Sequence, residues 1–440
     1  MPMDDAAMLR TIERKVGWRI LPFLIVCFFV AFMDRVNVGF AALHMNQSLG
    51  FTPTVFGLGA GIFFIGYFLF EIPSNLALHR FGARVWIARI MISWGVLACA
   101  CSLVRGETSF FVLRFLLGAA EAGFFPGVLL YMTYWFPAAS RARVMSIFSL
   151  GSVVSLVIGA PLSGLVLSLN TAFGLAGWQW LFLLEGLPSV ALGIIAFFFL
   201  TDRPKDARWL DAGERAWLQA TIDAEQAGKQ GDVHNPLAAL RDPRGMVLSL
   251  AAMLNIMAIY GVTMWLPQLL HAAGHLTDLQ TGLVASLPFV CTAVAMTLNG
   301  IHADRSGDRR WHILFCALGG AAGFAIAALA GSPDIGLCGI CLAAMGIWSS
   351  NTVFWTVPMR LFSGASAAAS LALINSVGNL GGFAGPYVTG WIRAATGGYS
   401  AALLVLGGGL ALFGVLMFVF LGPRDGESIR KSQDHIRLAA

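Results

Sequence analysis

The chain has 440 residues, 58% of them hydrophobic and only 12% charged, with a formal net charge of +5. Soluble domains carry about 25% charged residues, so a soluble enzyme or signalling domain is excluded as the bulk of the molecule. Apolar runs of about 20 residues, enough for a ~30 Å hydrocarbon core, recur along the chain, which predicts an all-α polytopic membrane protein.

In chain order, about twelve runs are expected, over 17–42, 55–78, 83–103, 108–137, 141–167, 178–200, 245–271, 279–303, 310–330, 334–361, 364–395 and 398–421. They are continuous and lack the period-2 alternation of outer-membrane strands, so helices are predicted rather than a barrel. The first run is longer than a signal h-region and no small-residue cleavage site follows it, so no cleavable signal is expected. Arg10, Arg14, Lys15 and Arg19 precede it, Arg80 and Arg84 follow the second run, and Arg141 and Arg143 follow the fourth. The alternate loops hold only Arg105 and Arg393. This asymmetry predicts both termini in the cytoplasm of an inner-membrane protein, and the net charge calls for a bilayer rather than a nucleic-acid partner. The polar segment 201–244 divides the runs six and six and reads as a cytoplasmic linker, with an amphipathic surface helix within 211–228. The expected organisation is a six-helix bundle over 1–200, the linker, a second bundle over 245–421 and a cytoplasmic tail over 422–440.

The seven cysteines fall in or beside apolar runs, which argues against a disulfide framework. The C-x-x-C of "LCGIC" (337–341) reads as helix packing, and His271 with His275 lacks a third ligand, so no metal or cofactor is expected.

The halves repeat at an offset of 225 residues: "NLALHRFGARVW" (75–86) aligns with "GIHADRSGDRRW" (300–311), and Pro161 of "GAPLSG" with Pro386 of "AGPYVTG". Such duplication is characteristic of transporters whose substrate site lies between repeats.

Segment 300–310 resembles the signature loop of the major facilitator superfamily, G-x-x-x-D-R-x-G-x-R-R. The first-half copy departs from it, with Asn75 at the first glycine and His79 at the acidic position. The gating-loop candidates are Arg80, Gly82 and Arg84, with Asp304, Arg305, Gly307 and Arg309. "MDRVNVGFA", "FEIPSNLALHRFGARVWIARIMISWG", "RFLLGAAEAGFFPGVLLYMTYWFP", "WLFLLEGLPS" and "INSVGNLGGFAGP" narrow the resemblance to the anion:cation symporter family, in particular its bacterial tartrate, phthalate and hydroxyphenylacetate permease-like members. The resemblance implies the two-bundle fold and proton-driven uptake of an organic acid by a monomer.

Strongly ionisable residues well inside the runs are Asp34, Arg35, Glu71, Arg114, Glu121 and Glu185, all in the first half. A charge at the bilayer centre costs at least ~2.5–3.5 kcal/mol, so each needs a partner or a wet cavity. Arg114 and Glu121 are two helical turns apart, nearly on one face and roughly 10 Å apart along the axis. An arginine fork suits carboxylate capture, and a nearby carboxylate suits proton carriage, which makes Asp34 and Glu121 the proton-coupling candidates and Arg114 and Arg35 the anion-binding ones. Glu71 and Glu185 read as structural. The resemblance assigns the same four residues to coupling and anion binding, and matches Tyr67, Asn375 and Asn379 to substrate-contacting positions. Tyr260, Trp348, Asn351 and Trp355 are further second-half candidates. An exporter or exchanger of organic anions or drugs is the alternative within transport; a membrane sensor is disfavoured because no soluble signalling domain is recognisable, and an enzyme because no nucleophile–base set converges.

Overall fold

A computed structural model describes residues 5–169, 172–227, 242–274, 276–362 and 364–422. The described residues are helical, without strands: α1 (Asp5–Leu49), α2 (Pro53–Phe81), α3 (Ala83–Ala100), α4 (Glu107–Glu121), α5 (Phe124–Thr133), α6 (Ala138–Leu167), α7 (Gly177–Phe199), α8 (Ala212–Ala227), α9 (Pro243–Gly274), α10 (Asp278–Ser306), α11 (Arg309–Leu329), α12 (Pro333–Thr356), α13 (Pro358–Leu361), α14 (Gly364–Thr396) and α15 (Ser400–Leu421). Eleven helical stretches among them are long and apolar enough to span a bilayer. The 33-residue α14 falls where the eleventh run is expected. Helices satisfy every backbone polar group within the segment, which is why apolar runs of this length take that form in lipid. The tail beyond Gly422, much of the linker and His275 lie outside the described residues.

The duplication extends to the helix bounds. Pro53–Phe81 and Asp278–Ser306 start and end at an offset of 225.

Two expectations are corrected. The first helix extends ahead of the apolar run expected over 17–42 and is described from Asp5, because Ile12, Val16 and Ile20 repeat every four residues and bury one face of the polar stretch before the run. The fourth run is two helices. Ala122 turns out of the helix (ψ 131°), and Gly123 follows with φ +86°, a conformation that costs a residue with a Cβ about 1–2 kcal/mol.

By contacts the chain separates into two compact units. One comprises Met1–Ala41, Ile65–Gly159 and Val166–Asp232, and the other Ala42–Phe64, Ala160–Leu165 and Val233–Ala440. In the first, α3 and α7 touch backbone to backbone: a Cβ on Gly95 would lie 2.8 Å from Val190 N, and one on Gly186 2.9 Å from Cys99 N. The amphipathic α8 is held in this unit through Lys15 Nζ to Glu214 Oε1 (2.6 Å) and Arg141 Nη2 to Glu225 Oε2 (3.2 Å), and Trp209, just ahead of it, stacks on Trp135. In the second unit α9 lies along α14, where Gly381 and Gly385 face the carbonyls of Met253 and Met257.

Candidate functional site

The mid-membrane charges of the first unit gather around α1. Asp34 and Arg35 are neighbours in sequence, but a helical step of about 100° sends their side chains to different elements. Arg35 reaches α4: its Nε donates to Glu121 Oε1 at 3.1 Å and its Nη2 pairs with the same oxygen. The guanidinium also stands 5.2 Å from the centroid of the Tyr67 ring, within cation–π range. Glu121 is 1% exposed, whereas the Arg35 side chain keeps 15%.

Asp34 turns to α3 and α7. Its Oδ2 accepts hydrogen bonds from Trp94 Nε1 (2.6 Å) and Ser189 Oγ (2.8 Å), while Oδ1 is buried with no hydrogen-bond partner among the described residues. The glycine-mediated contact of α3 with α7 holds those two donors at a fixed spacing.

Arg114 is fully buried on α4, two turns before Glu121. Glu121 closes that helix, directly ahead of the break at Ala122 and Gly123. Non-helical backbone at membrane depth is tolerated only where protein or a cavity satisfies it. Here the break packs on α2, since a Cβ on Gly123 would fall 2.4 Å from Ser74 Oγ. Asp34, Arg35, Tyr67, Arg114 and Glu121 thus belong to one buried constellation. Glu71 and Glu185 are buried in the same unit.

The second-half candidates lie in the second unit. Tyr260 on α9 is buried, with its ring 4.4 Å from that of Phe64. Trp348, Asn351 and Trp355 share one face of α12 and are half-buried. Asn375 is half-buried and Asn379 buried, one turn apart on α14. The same unit holds a polar cluster that hydropathy does not reveal. His44 Nε2 is 2.9 Å from both carboxylate oxygens of Asp278, and Gln268 Oε1 accepts from Arg393 (3.2 Å) and Asn46 (3.3 Å).

Both repeated loops turn at a positive-φ glycine, but in different conformations: Gly82 has φ +87° and ψ 149°, Gly307 φ +69° and ψ −5°. Arg84 donates its backbone N–H to Asp202 Oδ1 (2.9 Å), with its Nε 3.6 Å from Oδ2. Arg309 donates to Thr356 Oγ1 (2.6 Å) and pairs with Asp304 (3.7 Å), while Arg80 and Arg305 are exposed.

Sequence reading missed Trp94 and Ser189. The signal was present for Trp94: membrane tryptophans favour the interface, and a buried indole N–H deep in a span needs an acceptor. Ser189 carries no comparable mark.

The sequence model of the Major Facilitator Superfamily matches residues 24–386 and 248–437. A protein of Agrobacterium vitis proposed as a tartrate transporter is 47% identical over 94% of this chain and 93% of its own. The quinolone resistance transporter of Acinetobacter baumannii is 41% identical over 93% and 94%. The xylose transporter XylE of E. coli, in a partially occluded inward-open conformation, superposes with a TM-score of 0.73 at 16% identity, covering 93% of this chain and 98% of that one.

Proposed function

The chain belongs to the Major Facilitator Superfamily, a family of multi-pass membrane transporters, and on that premise we propose that it imports a small organic carboxylate by proton symport. The observation that carries the proposal is the Arg35–Glu121 pair, a buried carboxylate occupying a partly open arginine beside Tyr67. While Glu121 is ionised, it and a substrate carboxylate compete for the same guanidinium. A proton on Glu121 removes that competitor, and the freed fork of Arg35 takes the substrate through two parallel charge-assisted hydrogen bonds. The proton on Glu121 balances the charge of one substrate carboxylate, and a second proton, on Asp34, balances a second carboxylate in a diacid. Arg114, sequestered on α4, supplies a fixed positive charge to the same constellation. Asp34 is the second proton carrier.

Asn375, Asn379, Tyr260, Trp348, Asn351 and Trp355 are proposed as neutral substrate-contacting groups of the second half. Amides and hydroxyls suit the hydroxyl groups of an acid such as tartrate, the substrate named for the Agrobacterium relative. Coupling follows if the fully loaded and empty forms change sides readily and the half-loaded form does not, since ligands shift a conformational equilibrium only through differential affinity. Any net positive charge carried inward gains about 2.3 kcal/mol per 100 mV. The loop arginines support the reading of an inner-membrane protein with both termini cytoplasmic.

A second reading, drug export, draws on the Acinetobacter relative. Uptake into proteoliposomes separates the two. With an inward pH gradient, labelled tartrate or another acid of a panel of sugar and aromatic acids should accumulate above its equilibrium level and be released by a protonophore. If no acid responds to the gradient, symport is wrong; gradient-driven quinolone extrusion without acid uptake would establish export instead.

A further inference from the structure

Asp34 is bound by neutral donors, unlike Glu121, and by one oxygen only. Oδ2 accepts from Trp94 Nε1 and Ser189 Oγ, which uses both of its lone pairs. An indole N–H can only donate. A proton on Oδ2 meets either the Trp94 N–H, which cannot accept it, or the Ser189 hydroxyl, which accepts it only by turning its own hydrogen away, so either way one of the two present contacts is given up. Oδ1 is equally buried and holds no hydrogen bond among the described residues, so a proton added there leaves both contacts in place.

We propose that Trp94 and Ser189 are positioning residues that direct the coupling proton to Oδ1 of Asp34 and set the pH at which it binds. The inference rests on Asp34 as a proton carrier and deepens that reading. The step is a plain protonation: an O–H bond forms at Oδ1, the carboxylate charge goes from −1 to 0, and the proton comes from water on the loading side. Both hydrogen bonds to Oδ2 favour the charged carboxylate over the neutral acid.

The other titratable and charged groups around Asp34 are Arg35 on α1, Cys99 and Cys101 at the end of α3, Arg114 and Glu121 on α4, and Glu185 one turn from Ser189 on α7. The direct contacts are those of Trp94 and Ser189, held rigidly by the α3–α7 backbone approach at Gly95 and Gly186.

The test is pH-difference infrared spectroscopy of the full chain reconstituted in lipid, without substrate. The carboxyl band of protonated Asp34 is identified by its loss in Asp34→Asn. Trp94→Phe and Ser189→Ala each remove one donor from the charged form, so the midpoint of that band should rise by about one pH unit in each. Ser189→Thr keeps the hydroxyl and should titrate with the wild type. The pH profile of labelled tartrate uptake should move the same way. A band lost in Asp34→Asn whose midpoint stays put, or falls, in Trp94→Phe and Ser189→Ala overturns the positioning role and leaves Asp34 as a carrier. If Asp34→Asn loses no band, the carrier reading fails and takes this inference with it. Should Trp94→Phe not fold, Ser189→Ala decides alone.

Discussion

The fourth membrane segments of the two halves, α4–α5 and α12, are related by the 225-residue offset and have opposite characters. Arg114 corresponds to Gly339, Glu121 to Gly346 and the break glycine Gly123 to Trp348. In the second half both glycines press on α11. A Cβ on Gly339 would meet Ala327 N at 2.5 Å, and one on Gly346 would meet Cys316 O at 2.4 Å; α12 runs unbroken through both. In the first half the same two positions carry an ion, and the helix stops at the second. One repeat uses them to close two helices together, and the other to place charge in the membrane. Sequence duplication therefore conserves the frame while the chemistry sits on one side of it.

The sharpest way to break this contrast is Arg35→Ala. It leaves Glu121 buried without its guanidinium, which costs about 3–5 kcal/mol in comparable buried pairs. A large drop in thermal stability in detergent should accompany loss of tartrate uptake, and stability should recover in part in Arg35→Ala/Glu121→Gln. Next comes Gly346→Ala, which overpacks α12 against α11 at a cost of about 1–3 kcal/mol. Protein that survives should transport with the wild-type pH profile, because no proton site is touched; a shifted profile would mean the second half takes part in proton binding. The smallest effect is expected for Gly123→Ala. Positive φ alone costs about 1–2 kcal/mol, and the Ser74 side chain, whose Cβ would lie 2.8 Å from the new methyl, must shift as a whole. Thermal denaturation should show the loss, and the double substitution Gly123→Ala/Ser74→Gly should recover the steric part.

Much of the frame was legible in sequence because it depends on run length and offset. The loops around Arg80 and Arg305 gave the 225-residue register that the helix bounds of α2 and α10 follow. The mid-membrane ions were legible too, because charge in lipid is costly wherever it occurs. Their partners were not. The seven-residue spacing of Arg114 and Glu121 gives a shared face on one helix but says nothing of α1, from which Arg35 takes Glu121. The break at Ala122 lay hidden in "AAEAGFFPG", where small residues fit close packing as well as a turn. Trp94 signalled only the need for an acceptor and Ser189 nothing, because neutral groups do not interrupt an apolar run, and only folding brings them from α3 and α7 to a carboxylate on α1.

The claim that one ion pair links proton and substrate is tested most directly by Glu121→Gln in proteoliposomes loaded with tartrate. The account predicts that Glu121→Gln, permanently neutral with Arg35 released, exchanges labelled tartrate across the membrane yet no longer accumulates it under an inward pH gradient. Concentrative uptake at the wild-type level would contradict it.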